Sequence, residues 1–188
     1  MKTKKKRRLS KLATDKSMLE EGVSFINKGI LIGNPALDYL KDFCFLSDYE
    51  SQPIQETLKS LKIDLNTLDV SCYFLVQGLE LIIKGLILCF GELPHENHSI
   101  KANVRILSNI YEHRVNELYR IESTFEILTD NRFTGSISTW QISGRYEKLE
   151  PNLKDLDTTI TIFNDFSKFV RQYQLTEVLE LKEYVFFN

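Results

Sequence analysis

The run Cys72-Tyr73-Phe74-Leu75-Val76-Gln77-Gly78-Leu79-Glu80-Leu81-Ile82-Ile83-Lys84-Gly85-Leu86-Ile87-Leu88 constrains this chain more than any other stretch. It is apolar almost all round, and its polar side chains are Gln77, Glu80 and Lys84. At spacings i, i+3 and i+7 these three share one face of a helix, and Glu80 stands four residues before Lys84, the favoured order for an ion pair. A helix that is apolar on every other side is the buried central element of a bundle. Crossing a membrane would put all three polar groups in lipid, so the run reads as a core helix, ending near Phe90, with no membrane role.

Helical periodicity extends along most of the chain. Ser17-Met18-Leu19-Glu20 has the form of a capping box, followed by Leu19, Val23, Ile26, Ile30 and Leu31 at helical spacing. Gly33-Asn34-Pro35 is expected to break or kink this helix, with Asn34 capping a second stripe of Leu37, Leu40, Phe43, Cys44 and Leu46. A turn at Ser51-Gln52-Pro53 precedes a short helix over 54–62, and Asn66 or Thr67 caps the central helix. Apolar positions from Ile100 to Leu128 predict one long amphipathic helix, and those from Leu153 to Tyr173 predict the last long one. Between them, residues 129–151 carry Gly135, Gly144, Pro151, several Ser and Thr, and Trp140, and read as a long loop. The end, 176–188, fits a short helix or an added strand. With almost no period-two alternation, the expected fold is an all-α up-and-down bundle of four to five helices.

The central run also resembles the second-helix signature of HEPN domains (higher eukaryote and prokaryote nucleotide-binding), roughly Cys-Phe-x-x-x-Gln-Ala-Ala-Glu-x-x-x-Lys-Ala-Leu-Leu. Cys72, Tyr73, Gln77, Glu80, Lys84 and Leu86 fall in register, with Gly78 and Gly85 at small-residue positions. The family continues with a short loop and His-Asp-Leu, where this chain has His98-Ser99-Ile100. Gly144-Arg145-Tyr146 resembles the family's Ala-Arg-Tyr-Pro, with Glu147 in place of proline. The resemblance covers about residues 72–146. It implies a HEPN-like bundle over 17–188, homodimerisation, and binding of RNA or a nucleotide-bearing partner in a bacterial stress, defence or toxin–antitoxin setting. A nucleotidyltransferase-type or antitoxin protein is the partner such a setting implies.

Charge adds a second feature. Formal net charge is -2, yet residues 1–12 hold seven Lys/Arg (Lys2, Lys4, Lys5, Lys6, Arg7, Arg8 and Lys11) and no acid. The remainder carries 17 basic against 26 acidic side chains, a body charge of -9. Residues 1–16 therefore read as a basic arm on an acidic body. Such an arm either binds nucleic acid electrostatically or is a solvated terminus folding back on the body. No apolar run or cleavage site follows it, so the expected location is the cytoplasm. Cys44, Cys72 and Cys89 lie in apolar contexts without paired spacing, and read as packed thiols in a reducing compartment.

For chemistry, the chain has no glycine-rich phosphate loop, no Gly-x-Ser-x-Gly and no Cys-x-x-Cys pair, and no cofactor is expected. His95, His98 and His113 are all its histidines, and their placement predicts no metal site. Many HEPN proteins cleave RNA without metal through Arg-x(4–6)-His, a cation for the phosphorane and an imidazole for the proton. Here Arg105 precedes His113 with seven residues between, one beyond that range. A ribonuclease using Arg105 and His113 is thus an alternative to a binding protein, as is a protein-interaction bundle without nucleic acid. The expected binding positions are Lys4, Lys5, Lys6, Arg7, Arg8, His98, Arg145 and Tyr146. Gln77, Glu80 and Lys84 are expected to form a structural polar seam that receives His98 or Arg145, the alternative being a ligand site inside the bundle.

Overall fold

The computed structural model describes residues 15–41, 65–114, 122–130 and 153–172, together with Gly135, Ile137, Ser138 and Trp140. The described residues form an all-α protein of five helices without strands: α1 (Lys16–Lys41), α2 (Leu65–Cys89), α3 (Ile100–Arg114), α4 (Glu122–Thr129) and α5 (Leu153–Gln172). The expected helix over 54–62, the second stripe beyond Lys41, the basic arm, Arg145, Tyr146 and the C-terminal segment lie outside the described residues.

The core is the contact between α1 and α2. Small residues recur every seven positions on each helix: Gly22, Gly29 and Ala36 on α1, and Ser71, Gly78 and Gly85 on α2, all buried. Two helix turns separate successive members, so each set lines one stripe. A Cβ on Gly29 would lie 2.5 Å from the carbonyl oxygen of Gly78, and one on Gly85 would lie 2.5 Å from that of Gly22. Early residues of α1 thus meet late residues of α2, and the pair is antiparallel. Backbone touches backbone because no side chain stands between.

This seam explains two departures from the sequence reading. The helix does not break at Gly33-Asn34-Pro35; α1 runs unbroken through Pro35. Proline withholds one helix hydrogen bond and strains the turn before it. That cost is met on the outer side, where Pro35 and Leu31, four residues earlier, are exposed. On the inner side, Gly33 packs against the Phe163 ring and Ala36, Leu37 and Leu40 stay in the core. Leu31, expected inside, is 57% exposed. The capping box at Ser17 and Glu20 does not form either. The cap is Asp15, whose Oδ1 accepts the N–H groups of Ser17 at 2.8 Å and Met18 at 3.4 Å.

α2 is buried over most of its length, with Leu75, Val76, Leu79, Ile82, Ile83, Leu86 and Ile87 fully enclosed. By length and composition Thr67–Cys89 is apolar enough to cross a membrane, and most of it is buried inside the protein. The helix begins at Leu65, so Asn66 and Thr67 fall in its first turn instead of capping it. Its end is a Schellman turn: Gly91, at φ 80°, donates to Leu88 O at 2.9 Å, and Glu92 N–H donates to Ile87 O at 3.1 Å.

The single long helix expected over 100–128 is two. On one straight helix Arg114 and Glu122 would stand about 12 Å apart, whereas α4 lies against α3. Folding back lets Leu128 and Thr124 enter the core, and Thr124 Oγ1 donates to Asp165 Oδ2 of α5 at 3.1 Å. The expected long loop also contains helical residues. Gly135, Ile137, Ser138 and Trp140 are helical, and Ile137 and Trp140 are buried. Spaced i, i+3, these two share a helix face, and burying a tryptophan outweighs the turn propensity of its neighbours. α5 closes the core with Leu156, Ile160, Phe163, Phe166 and Val170 on one stripe.

Candidate functional site

The most organised polar cluster among the described residues is centred on Glu80. Its place on α2 follows from the register that buries Leu79, Ile83 and Leu86, which turns position 80 inward at 1% exposure. A carboxylate there needs charged or hydrogen-bonding partners. Lys84, one turn on, supplies one: its Nζ lies 2.8 Å from Glu80 Oε1, with only 11% of the lysine side chain exposed. The second is His98, eighteen residues away in the chain, whose Nδ1 lies 3.2 Å from Oε1 and 3.4 Å from Oε2. The imidazole itself is 68% exposed. A buried ion pair is therefore roofed by a histidine that otherwise faces solvent.

The loop carrying His98 is held by its own hydrogen bonds. Ser99 caps α3, its Oγ accepting the N–H of Ala102 at 3.2 Å. Asn103, wholly buried, accepts the N–H of His95 through Oδ1 at 2.8 Å and donates through Nδ2 to Ser99 O at 3.1 Å. One side chain thus ties both ends of the segment 95–99, and His98 sits inside that closed loop. Asn103 was not among the residues the sequence singled out; its spacing of four from a capping serine was the available signal.

Gln77 lies on the same face of α2, half-buried, and its buried Nε2 has no hydrogen-bond partner among the described residues. The Glu80–Lys84 pair and its His98 contact form, while Arg145, the other expected contact, falls outside the described residues. Arg105 is exposed on the second turn of α3, and His113 lies on the same unbroken helix. Eight residues separate them, about 12 Å along the axis and about 80° around it, and the His113 side chain lies outside what is described. His95 is turned to a different task from His98, its Nδ1 accepting the N–H of Asn97 at 3.3 Å. No group of three or more metal-ligating side chains occurs among the described residues.

The thiols among the described residues, Cys72 and Cys89, are both buried. Burial pushes Cys72 up to about 12, with Asp69 adding to the effect, and burial alone pushes Cys89 to about 12. The thiolate is the nucleophile and metal ligand, so both are inert packing groups.

The fold and cluster together define an all-α helical protein with a buried acid–lysine pair roofed by an exposed histidine at the α2–α3 loop. Compared with protein-family profiles, curated proteins and solved structures, the chain finds no match in any of the three.

Proposed function

We propose that this chain is a HEPN-like up-and-down bundle, homodimeric and cytoplasmic, that binds RNA or a nucleotide-bearing partner in a bacterial stress, defence or toxin–antitoxin setting. The observation that carries the reading is the meeting of Glu80, Lys84 and His98 in one cluster. These are positions at which the sequence resembles the family's second helix and the short motif after it. The charge distribution supports the same reading: seven cationic side chains in residues 1–12 stand before an acidic body. A polyanion is drawn to the arm and repelled by the body, so the arm supplies most of the affinity. Val70 and Phe74, exposed one turn apart on α2, offer apolar surface to a second copy.

The test is fluorescence anisotropy of a single-stranded RNA with the full chain and with a chain lacking residues 1–12, each at low and at high salt. Tight binding by the full chain, lost without the arm and weakened by salt, supports the reading. No binding by either form moves the assignment to a protein-interaction bundle.

A further inference from the structure

The two loop histidines both engage Nδ1 and leave Nε2 free, but with opposite proton placements in the neutral ring, and the difference assigns one of them a ligand chemistry. Glu80, as a carboxylate paired with the Lys84 ammonium, can only accept hydrogen bonds. His98 Nδ1, within 3.2 and 3.4 Å of its two oxygens, must therefore carry the proton. In the neutral imidazole this leaves Nε2 as a bare lone pair, on a ring 68% exposed. His95 is the reverse: its Nδ1 accepts the N–H of Asn97, so its neutral ring carries the proton on Nε2. The carboxylate that fixes the His98 tautomer is 1% exposed, and its own lysine is 11% exposed, so the arrangement is built into the core and not a chance surface contact.

We propose that His98 Nε2 is a ribose-recognition group, accepting a hydrogen bond from a 2′-hydroxyl of bound RNA. The proposal rests on the nucleic-acid reading above and adds to it a basis for telling RNA from DNA. A 2′-hydroxyl is the donor that RNA has and DNA lacks. In its neutral form, an imidazole held with Nδ1–H on Glu80 offers that hydroxyl an acceptor at Nε2. Phosphate, which needs a donor, is poorly served by that face, so the arm binds the backbone while His98 reads the sugar. Lys84 is already joined to Glu80 and lends its charge to fixing the ring.

Two measurements test this on the full chain. In the first, anisotropy compares a short oligouridylate with its deoxyuridine counterpart, identical but for the 2′-hydroxyls. Wild type should prefer the ribo form by roughly fivefold, the size of one net hydrogen bond. His98→Ala, at an exposed ring that the core does not need, should erase that preference by weakening RNA binding to the DNA level while leaving DNA binding unchanged. Equal wild-type affinity for the two oligomers, or a preference that survives His98→Ala, overturns the proposal and leaves RNA binding itself standing. Binding of neither oligomer overturns both readings. The second measurement is nitrogen-15 NMR of the imidazoles, which needs no ligand. The neutral His98 ring should show the proton on Nδ1 and His95 should show it on Nε2; a His98 proton on Nε2 overturns the proposal whatever the binding data show.

Discussion

Gly85 of α2 sits against Gly22 of α1 so closely that a Cβ on Gly85 would lie 2.5 Å from the Gly22 carbonyl oxygen and 2.6 Å from Ile26 Cγ1. The reciprocal Cβ on Gly22 would meet the Gly85 oxygen and Cys89 Sγ, each at 2.7 Å. Neither helix can gain a methyl group there without the two backbones moving apart. A main-chain oxygen cannot rotate away as the end of a flexible side chain can.

Gly85→Ala should therefore destabilise the protein by about 2–3 kcal/mol, although alanine favours a helix more than glycine does. Gly135→Ala is the matched control. That glycine is helical, exposed and has nothing within 4 Å of its added carbon. It should gain about 0.5–1 kcal/mol from helix propensity. Urea unfolding followed by circular dichroism separates the two; a neutral Gly85→Ala would show that the α1–α2 contact is looser than described.

Lys84→Met should cost about 1–3 kcal/mol, because it leaves a carboxylate at 1% exposure with its ammonium partner gone. The methionine keeps most of the lysine's apolar stem, so packing is largely preserved. His98→Ala removes only an exposed ring from the same carboxylate, and should cost less. Equal urea midpoints for wild type and Lys84→Met would rule out the seam as a stabilising element.

Cys72 and Cys89 should resist alkylation at pH 8.5 in the folded protein and react once urea is added, as read by peptide mass spectrometry. Burial raises both from an ordinary value of 9.0 to about 12. The linked effect on stability has a definite sign. Below about pH 9 both states hold the thiol protons and stability is full; between about 9 and about 12 the unfolded chain releases them first, and stability falls with rising pH. A urea midpoint that did not decline above pH 9 would contradict the burial of these side chains.

Purified protein should show no strong ribonuclease activity on structured or single-stranded RNA. Arg105 and His113 lie on one unbroken α3, about 12 Å apart along its axis and about 80° around it. Cleavage by wild type that vanished in Arg105→Ala and in His113→Ala would restore the nuclease reading, with the pair completed across two copies.

The local parts of this structure were legible in the order of residues. The apolar run 72–88 implies a buried helix because its polar side chains are confined to one narrow face, and α2 is that helix. Glu80 and Lys84 pair because a spacing of four places them on neighbouring turns, a relation the chain carries within itself. What tertiary structure decided is what each helix touches. Gly78 and Gly85 read as small residues on α2, and only the facing stripe of Gly22 and Gly29 makes them a place where backbones meet. Pro35 signals a break, and burial of Gly33, Ala36, Leu37 and Leu40 on the opposite side holds α1 together across it. Trp140 lies among turn-forming residues, and the core space that takes it in is not written in its neighbours. His98 belongs to Glu80 in the same way, since the α2–α3 loop must close before the two can meet. Local preference is worth about a kilocalorie per residue at most, and about 3 kcal/mol for proline in a helix, whereas burying a large apolar side chain is worth about 1.5–3 kcal/mol; at Trp140 one buried side chain outweighs its neighbours' preference, and at Pro35 the burial of Leu37 and Leu40 together offsets the proline.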